Sequence, residues 1–349
     1  MTAFADDGAR PFAAVCAGAV VAFAGELAAA EKVAALTIAF GDRQLRAARS
    51  FGVSDTARYP LTSLTKPMVA ATLLRLVETG EVTLADRVCR FRESFANGGK
   101  RSVTLGQAID HTAGLPMTTD DDTELRRAGA GLSDFLASAD ACSLLQPPGR
   151  EASYSNVGYL LVGDIIERVC GEPLPMAMNR LLFDPLGMTT ASLGLIDDID
   201  RVLVSLPSTM RDEPWHWNSR YWSGLAAPWG GAFGTAADVA RFATAVGQRL
   251  TPPPVGRQDK SWWRGFRRTW PDHTARFGDL ISPNAIGHFG ASGNLMWVDG
   301  DRWLVALSSE PIGTQPRLLQ RLSNVAAHQL SRIGRHADVA KDTGSGGGV

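Results

Sequence analysis

Strand-forming text lies at both ends of this chain and helix-forming text fills its middle, an order that tightly limits the folds open to it. Near the N-terminus, AALTIAF (34–40) and LRAARSFGV (45–53) flank Gly41-Asp42-Arg43-Gln44, which reads as a hairpin. Near the C-terminus, HFGASGNLMWV (288–298) and RWLVALSSE (302–310) flank Asp299-Gly300-Asp301, a strong turn signal that predicts a second hairpin. Between them TKPMVAATLLRLVETG (65–80) and VGYLLVGDIIERVCG (157–171) carry apolar residues at helical spacing and stop at Gly80 and Gly171. Thr235-Ala236-Ala237-Asp238 reads as a capping box opening ADVARFATAVGQRL (237–250), and Arg317 to Ile333 as a closing helix. Strands at both ends around a helical middle suggest one sheet assembled from the two termini. The expected class is therefore α+β: an antiparallel sheet formed from both termini, flanked by helices, with a mainly helical lobe inserted. The expected division is 10–62 plus 235–335 for the sheet lobe, 63–234 for the helical lobe, and 336–349 for a flexible tail. A ligand cleft is expected between the lobes.

The first apolar run, FAAVCAGAVVAFA (12–24), imitates the core of a signal peptide, but Asp6 and Asp7 against Arg10 deny it a positive flank. It also falls short of the ~20 residues that span a bilayer. We read it as a helix packed on the sheet of a cytoplasmic protein, with export after cleavage near Ala30 as the alternative. A net charge of −1, from 35 basic and 36 acidic residues, offers no field for a polyanion or an anionic membrane surface. Cys16, Cys89, Cys142 and Cys170 are widely spaced and form no metal-ligand pattern. The expected partner is a small molecule, with no nucleic acid, membrane, metal or organic cofactor.

The chemistry starts at Ser63-Leu64-Thr65-Lys66, where a loop passes into the first long helix. Residues three apart share a helix face, so the Lys66 amine can reach the Ser63 hydroxyl and take its proton. Alone this spacing is weak, since it arises about once by chance in a chain of this length. Two further elements follow in order: Tyr154-Ser155-Asn156 after a Pro-Pro-Gly turn, and His288-Phe289-Gly290 on a predicted strand.

Together these elements resemble the serine β-lactamase and penicillin-binding-protein superfamily, in which an SxxK motif, a Y-x-N element and a K/H-x-G strand meet in one cleft. The flanking text SLTKPMVAATLLRLVETGEVTL, HTAGLP, DPLGM and GGAFGTAADVARF shares the likeness, which runs from Gly41 to Glu310. The resemblance implies a β-lactamase-like fold and a covalent acyl-enzyme on Ser63. It makes Lys66 a hydrogen-bonded partner and base, and Tyr154 a second base or a proton shuttle; the two bases stay undivided at this point. Asn156 would orient Lys66 and donate to the substrate carbonyl, or cap the helix that it opens. The Ser63 and Ala291 amides would form the oxyanion hole. Gly290 would let the strand edge approach substrate, and Gly293 would relieve crowding beside it.

The sequence departs from the pattern at His288, where many members carry lysine; a largely neutral imidazole suits a substrate carboxylate less well. This feature is more like the class C-like, family VIII carboxylesterases and related acyltransferases than antibiotic hydrolases. No glutamate stands out as an activator of deacylating water. PWHWNSRYWSGLAAPW (214–229) is dense in aromatics, and Trp217, Tyr221, Trp222 and Trp229 are expected in the substrate pocket. His111, opening HTAGLP, is expected to support its loop. The leading functional reading is hydrolysis of carboxylic esters, with weaker turnover of β-lactams or amides. The alternatives are acyl transfer to an amine or alcohol, and a non-catalytic binding protein of the same fold.

Overall fold

The computed structural model describes residues 9–194, 200–253, 261–268, 277–314 and 317–344. Helix α1 (Ala9–Ala30) leads into strands β1 (Leu36–Gly41) and β2 (Leu45–Phe51). Short strand β3 (Tyr59–Pro60) precedes α2 (Thr65–Glu78), and α3 (Asn156–Cys170) forms the longest helix of the middle region. Strands β4 (Ser192–Leu193) and β5 (Ala232–Gly234) lead to α4 (Ala236–Arg249). Then follow β6 (Trp262–Trp263), β7 (Phe266–Arg268), β8 (Ile286–Gly290), β9 (Asn294–Asp299), β10 (Arg302–Ser308) and α5 (Leu318–Gly344).

The seven-stranded sheet has the order β2-β1-β10-β9-β8-β7-β6, so β1 from one end of the chain pairs antiparallel with β10 from the other. Its strands alternate between two cores, as a sheet buried on both faces must. Leu36, Ile38, Phe40, Leu295, Trp297 and Leu304 pack towards α1 and α5, whereas Met296, Val298, Trp303, Val305 and Leu307 join the larger core with α4 and α2. The α+β, β-lactamase-like architecture agrees with the sequence reading. The capping box at Thr235 is present, with Thr235 Oγ1 accepting from the Asp238 amide at 3.2 Å.

Four local expectations change. HFGASGNLMWV is two strands, because Ala291 to Gly293 turn the chain back on itself; Gly293 has φ 105° and passes so close to the Glu310 carbonyl that no Cβ fits. The middle region also holds β3, β4 and β5 as a small sheet that sequence periodicity did not announce. Helix α5 continues to Gly344, beyond the expected boundary at 335, and the last five residues lie outside the described set. Finally, the N-terminal helix is longer than its most apolar stretch: Pro11–Ala30 is long and apolar enough to cross a membrane. Its Cys16, Val20, Ala24 and Leu27 are nevertheless buried at helical spacing against the sheet and α5.

Candidate active site

Ser63 sits in a single 3-10 turn, Thr62–Leu64, that runs directly into α2. Helical spacing brings Lys66 Nζ to 3.1 Å from Ser63 Oγ, and the same amine donates to the Trp229 carbonyl at 2.7 Å. The Lys66 side chain is fully buried. Around its amine stand the ring faces of Tyr154, at 4.7 Å, and Tyr159, at 5.8 Å. Burial drives its pKa well below that of an ordinary lysine, so the amine loses its proton readily.

Tyr154 lies across the mouth of this pocket, and its phenol moves the other way: burial raises its pKa, while the Ser63 hydroxyl and the Arg267 charge oppose the rise. Burial thus moves the two groups in opposite directions, each towards its neutral form. Tyr154 is held by His111, whose carbonyl accepts from the Ser153 amide at 2.7 Å and whose Nδ1 accepts from the Ser155 amide at 2.9 Å. The His111 proton is therefore on Nε2, which is buried without a hydrogen-bond partner among the described residues and lies edge-on to Trp262.

The third motif reaches the site on β8. His288 is buried, its Nδ1 donates to the Phe289 carbonyl at 2.8 Å, and burial followed by the Lys66 charge takes its pKa down to about 3. Next to it, β8 is pressed against the nucleophile's own segment. A Cβ on Gly290 would stand 2.4 Å from the Leu61 carbonyl oxygen and 2.6 Å from Thr62 Oγ1. Gly290 thus has a packing role: its missing side chain lets the strand meet the turn that carries Ser63. Buried hydroxyls fasten the seam. Thr62 Oγ1 bonds Ser292 Oγ at 3.1 Å, and Ser292 Oγ and Asn294 Nδ2 both donate to the Pro60 carbonyl, at 2.8 and 2.9 Å. Thr62 holds φ 44°, a strained value for a β-branched residue, and this network keeps it there.

These elements enclose a cleft of about 1000 Å³ lined by Ser63, Tyr154, His288, Ala291, Arg267, Trp217, Trp262, Phe289 and Ile312, among others. Ser63, Tyr154, His288 and Ala291 therefore converge as expected, with Lys66 just beneath, and no carboxylate stands among the described lining residues. Of the four aromatics expected in the pocket, only Trp217 lines it. Tyr221 donates its hydroxyl to the Ala130 carbonyl at 2.9 Å instead. Trp222 and Trp229 are buried, and with Trp215 and Phe135 they surround the Arg126 guanidinium at 5.1–5.9 Å while Asp122 pairs with it. Aromatic density marked a buried cation box, because desolvating an arginine calls for ring faces and a paired carboxylate.

Asn156 lines a small cavity with Asp122, Phe135 and Trp229 and makes no side-chain hydrogen bond to Lys66 among the described residues; the helix cap is Ser155, whose Oγ accepts from the Gly158 amide at 3.1 Å. Among the described residues, Lys66 is steered, beyond Ser63 itself, by the Trp229 carbonyl. The sequence reading missed Trp262, Phe289 and Arg267. The alternation in Ser261-Trp262-Trp263-Arg264-Gly265-Phe266-Arg267, around an Arg-Gly turn, was the available signal for a hairpin with Trp262 and Arg267 on it.

Comparison with known proteins agrees with this geometry. The chain is 31% identical over 258 residues to penicillin-binding protein 4 of Amycolatopsis lactamdurans, a match covering 66% of this chain and 65% of that protein. It is 33% identical over 150 residues to esterase EstB of Burkholderia gladioli, covering 37% of each. The matches therefore span less than two thirds of these relatives' own lengths. Among solved structures, EstCE1, described as a hydrolase with promiscuous acyltransferase activity, superposes with a TM-score of 0.73 at 19% identity, over 90% of this chain and 99% of that one. A penicillin-binding-protein homologue from Caulobacter crescentus gives 0.72 at 23% identity, over 89% and 97%. The Beta-lactamase family model matches residues 22–325, running through the segments that carry Ser63, Lys66, Tyr154 and His288, and the chain belongs to that family.

Proposed function

We propose that this protein is a serine hydrolase of carboxylic esters that works through an acyl-enzyme on Ser63. The observation that carries the reading is the buried, easily deprotonated Lys66 amine 3.1 Å from the Ser63 hydroxyl, at the floor of a large cleft. Lys66 takes the Ser63 proton as Oγ attacks the ester carbon, and the oxyanion forms towards the Ser63 and Ala291 amides. As the carbon–oxygen bond breaks, Tyr154 gives its proton to the departing alkoxide and regains one from the Lys66 ammonium. Water then enters by the reverse path and releases the acid. Burial supports these two roles: it favours the neutral form of each group, which for the amine is a base and for the phenol an acid.

Trp217, Trp262, Phe289 and Ile312 favour an apolar or ring-bearing acyl or alcohol group. Arg267 supplies a positive charge to the same wall, which supports slower turnover of carboxylate-bearing β-lactams. Transfer to an alcohol or amine is the second reading, favoured by those apolar walls, which hold little water against a bound acceptor. We place the protein in the cytoplasm, because cleavage near Ala30 would strip α1 from the sheet that it covers.

The test is a short-chain activated ester and a fluorophosphonate probe, with intact mass recorded for wild type and Ser63→Ala, and added amine or alcohol acceptors. An adduct confined to wild type supports the mechanism, and partition of product between water and acceptor separates hydrolase from transferase. An adduct that survives in Ser63→Ala, or none in either protein, overturns it and leaves a binding protein of this fold.

A further inference from the structure

A second cavity, separate from the catalytic cleft, lies between α2 and α4. It has a volume of about 140 Å³, and its walls include Leu74, Leu84, Leu182, Leu186, Phe242 and Val246. That is close to the ~150 Å³ of an apolar protein cavity that takes up benzene. Arg249 and Arg264 also line it, and neither is paired with a carboxylate among the described residues; the carboxylate that lines it, Glu78, is already paired with a third arginine, Arg75.

Arg264 is delivered there by an unusual turn. The β6–β7 hairpin closes through Arg264 and Gly265, with φ of 49° and 85°. Two successive positive values mark the type I′ pattern, whose first place favours Asn, Asp or Gly and disfavours a long side chain. The turn is held firmly: the Gly265 amide donates to Asp110 Oδ1 at 3.2 Å, and a Cβ on Gly265 would meet Ala70 at 2.4 Å. Arg264 thus lines the cavity from a backbone state that resists a long side chain, with its guanidinium over the Trp263 ring at 5.1 Å, and with Arg249 it gives the apolar cavity a positive edge that suits an anion with an apolar body.

We propose that this cavity binds a small apolar carboxylate, with a ring or chain of about six carbons inside and the carboxylate on Arg249 and Arg264. The site is independent of the chemistry at Ser63. A guanidinium can hold a carboxylate through two parallel hydrogen bonds, so an alcohol or amine of the same shape lacks half of the recognition.

Isothermal titration of the full chain with 3-phenylpropionate, and with 3-phenylpropanol as the uncharged control, tests the proposal. The expected result is saturable binding of the acid, weakened tenfold or more in Arg249→Glu and lost in Ala245→Phe, which fills the cavity; melting curves confirm that both variants fold. The alcohol should bind at least tenfold more weakly than the acid. Four results overturn the proposal: no heat from wild type at millimolar acid, acid binding unchanged in Arg249→Glu, acid binding that persists in Ala245→Phe, or equal affinity for acid and alcohol. If Ala245→Phe does not fold, the Arg249→Glu titration and the alcohol control still decide the matter.

Discussion

His111 holds Tyr154 by the chain on either side of it: the Ser153 amide is bound at 2.7 Å, the Ser155 amide at 2.9 Å, and the two rings lie 4.5 Å apart. His111→Phe keeps a ring but removes the Nδ1 acceptor, leaving the Ser155 amide buried and unpaired at a cost of about 1–3 kcal/mol. The phenol then loses its fixed position over Ser63. We expect a lower melting temperature and a fall of about 100-fold in kcat with KM little changed, as befits lost proton transfer. Steady-state kinetics on an activated ester, with thermal unfolding alongside, check both; equal loss in kcat and gain in KM would contradict the positioning role.

Lys66 is a stability burden accepted for reactivity. Its folded pKa lies well below the unfolded value near 10.5, so between those two values the unfolded chain binds the extra proton. Stability from this site therefore rises with pH across that window and is lowest below the folded pKa. Lys66→Met removes both the burden and the proposed base. It should raise the melting temperature at pH 7, flatten its rise towards pH 10, and cut kcat by about 10²–10⁴-fold. Differential scanning calorimetry at several pH values reads the first two effects.

The buried histidines give the mirror experiment at low pH. Burial lowers the pKa of His111 well below 6.5 and that of His288 to about 3, so below pH 6.5 only the unfolded chain protonates them. Each should remove about 1.4 kcal/mol of stability per pH unit as pH falls, until its folded pKa is reached. Urea unfolding at pH 7, 6 and 5 should show this slope, reduced by one proton's worth in His288→Phe. An unchanged slope in that variant would mean that His288 is charged in the folded protein.

Gly290→Ala tests the proposed oxyanion hole of the Ser63 and Ala291 amides. The new Cβ has the Leu61 carbonyl oxygen 2.4 Å away, so β8 must retreat from the turn that carries Ser63, and the Ala291 amide retreats with it. Overpacking of this kind costs about 1–3 kcal/mol, and loss of one oxyanion donor costs about 10²–10³ in kcat. Slower reaction with a fluorophosphonate, in a protein that still melts cooperatively, is the expected signature.

What could be read from the sequence was what neighbouring residues decide. The Ser63–Lys66 contact follows from helical spacing, the β1–β2 and β9–β10 hairpins from their turns, and Thr235–Asp238 from a local cap. What could not be read depends on distant chain or on the main chain itself. The acceptor for Lys66 is a carbonyl, which any residue at position 229 supplies, and it comes from 163 residues away. Trp222 and Trp229 look like pocket residues until Arg126 is seen among them, since composition does not say which side of a loop faces solvent. Gly290 read as an approach to substrate because the partner of that approach, Leu61, is remote in sequence.

The N-terminal helix provides the last test, because its fate bears on both stability and location. Cys16, Val20, Ala24 and Leu27 cover the sheet face formed by Leu36, Ile38, Phe40 and Trp297, all of them nearly inaccessible to solvent. Gly25 is in close contact with Phe51 of β2, where a Cβ would lie 2.9 Å from the ring. Removing residues 1–30 uncovers these side chains, each worth about 1.5–3 kcal/mol when buried, a combined loss comparable with the whole stability of a typical domain. The truncated chain should aggregate or melt far below the full-length protein. Intact mass of the protein recovered from its own cells supplies the complementary measurement: a chain that retains α1 fits the cytoplasmic reading, and a stable, active chain beginning near Ala30 would show that the helix is dispensable and favour export.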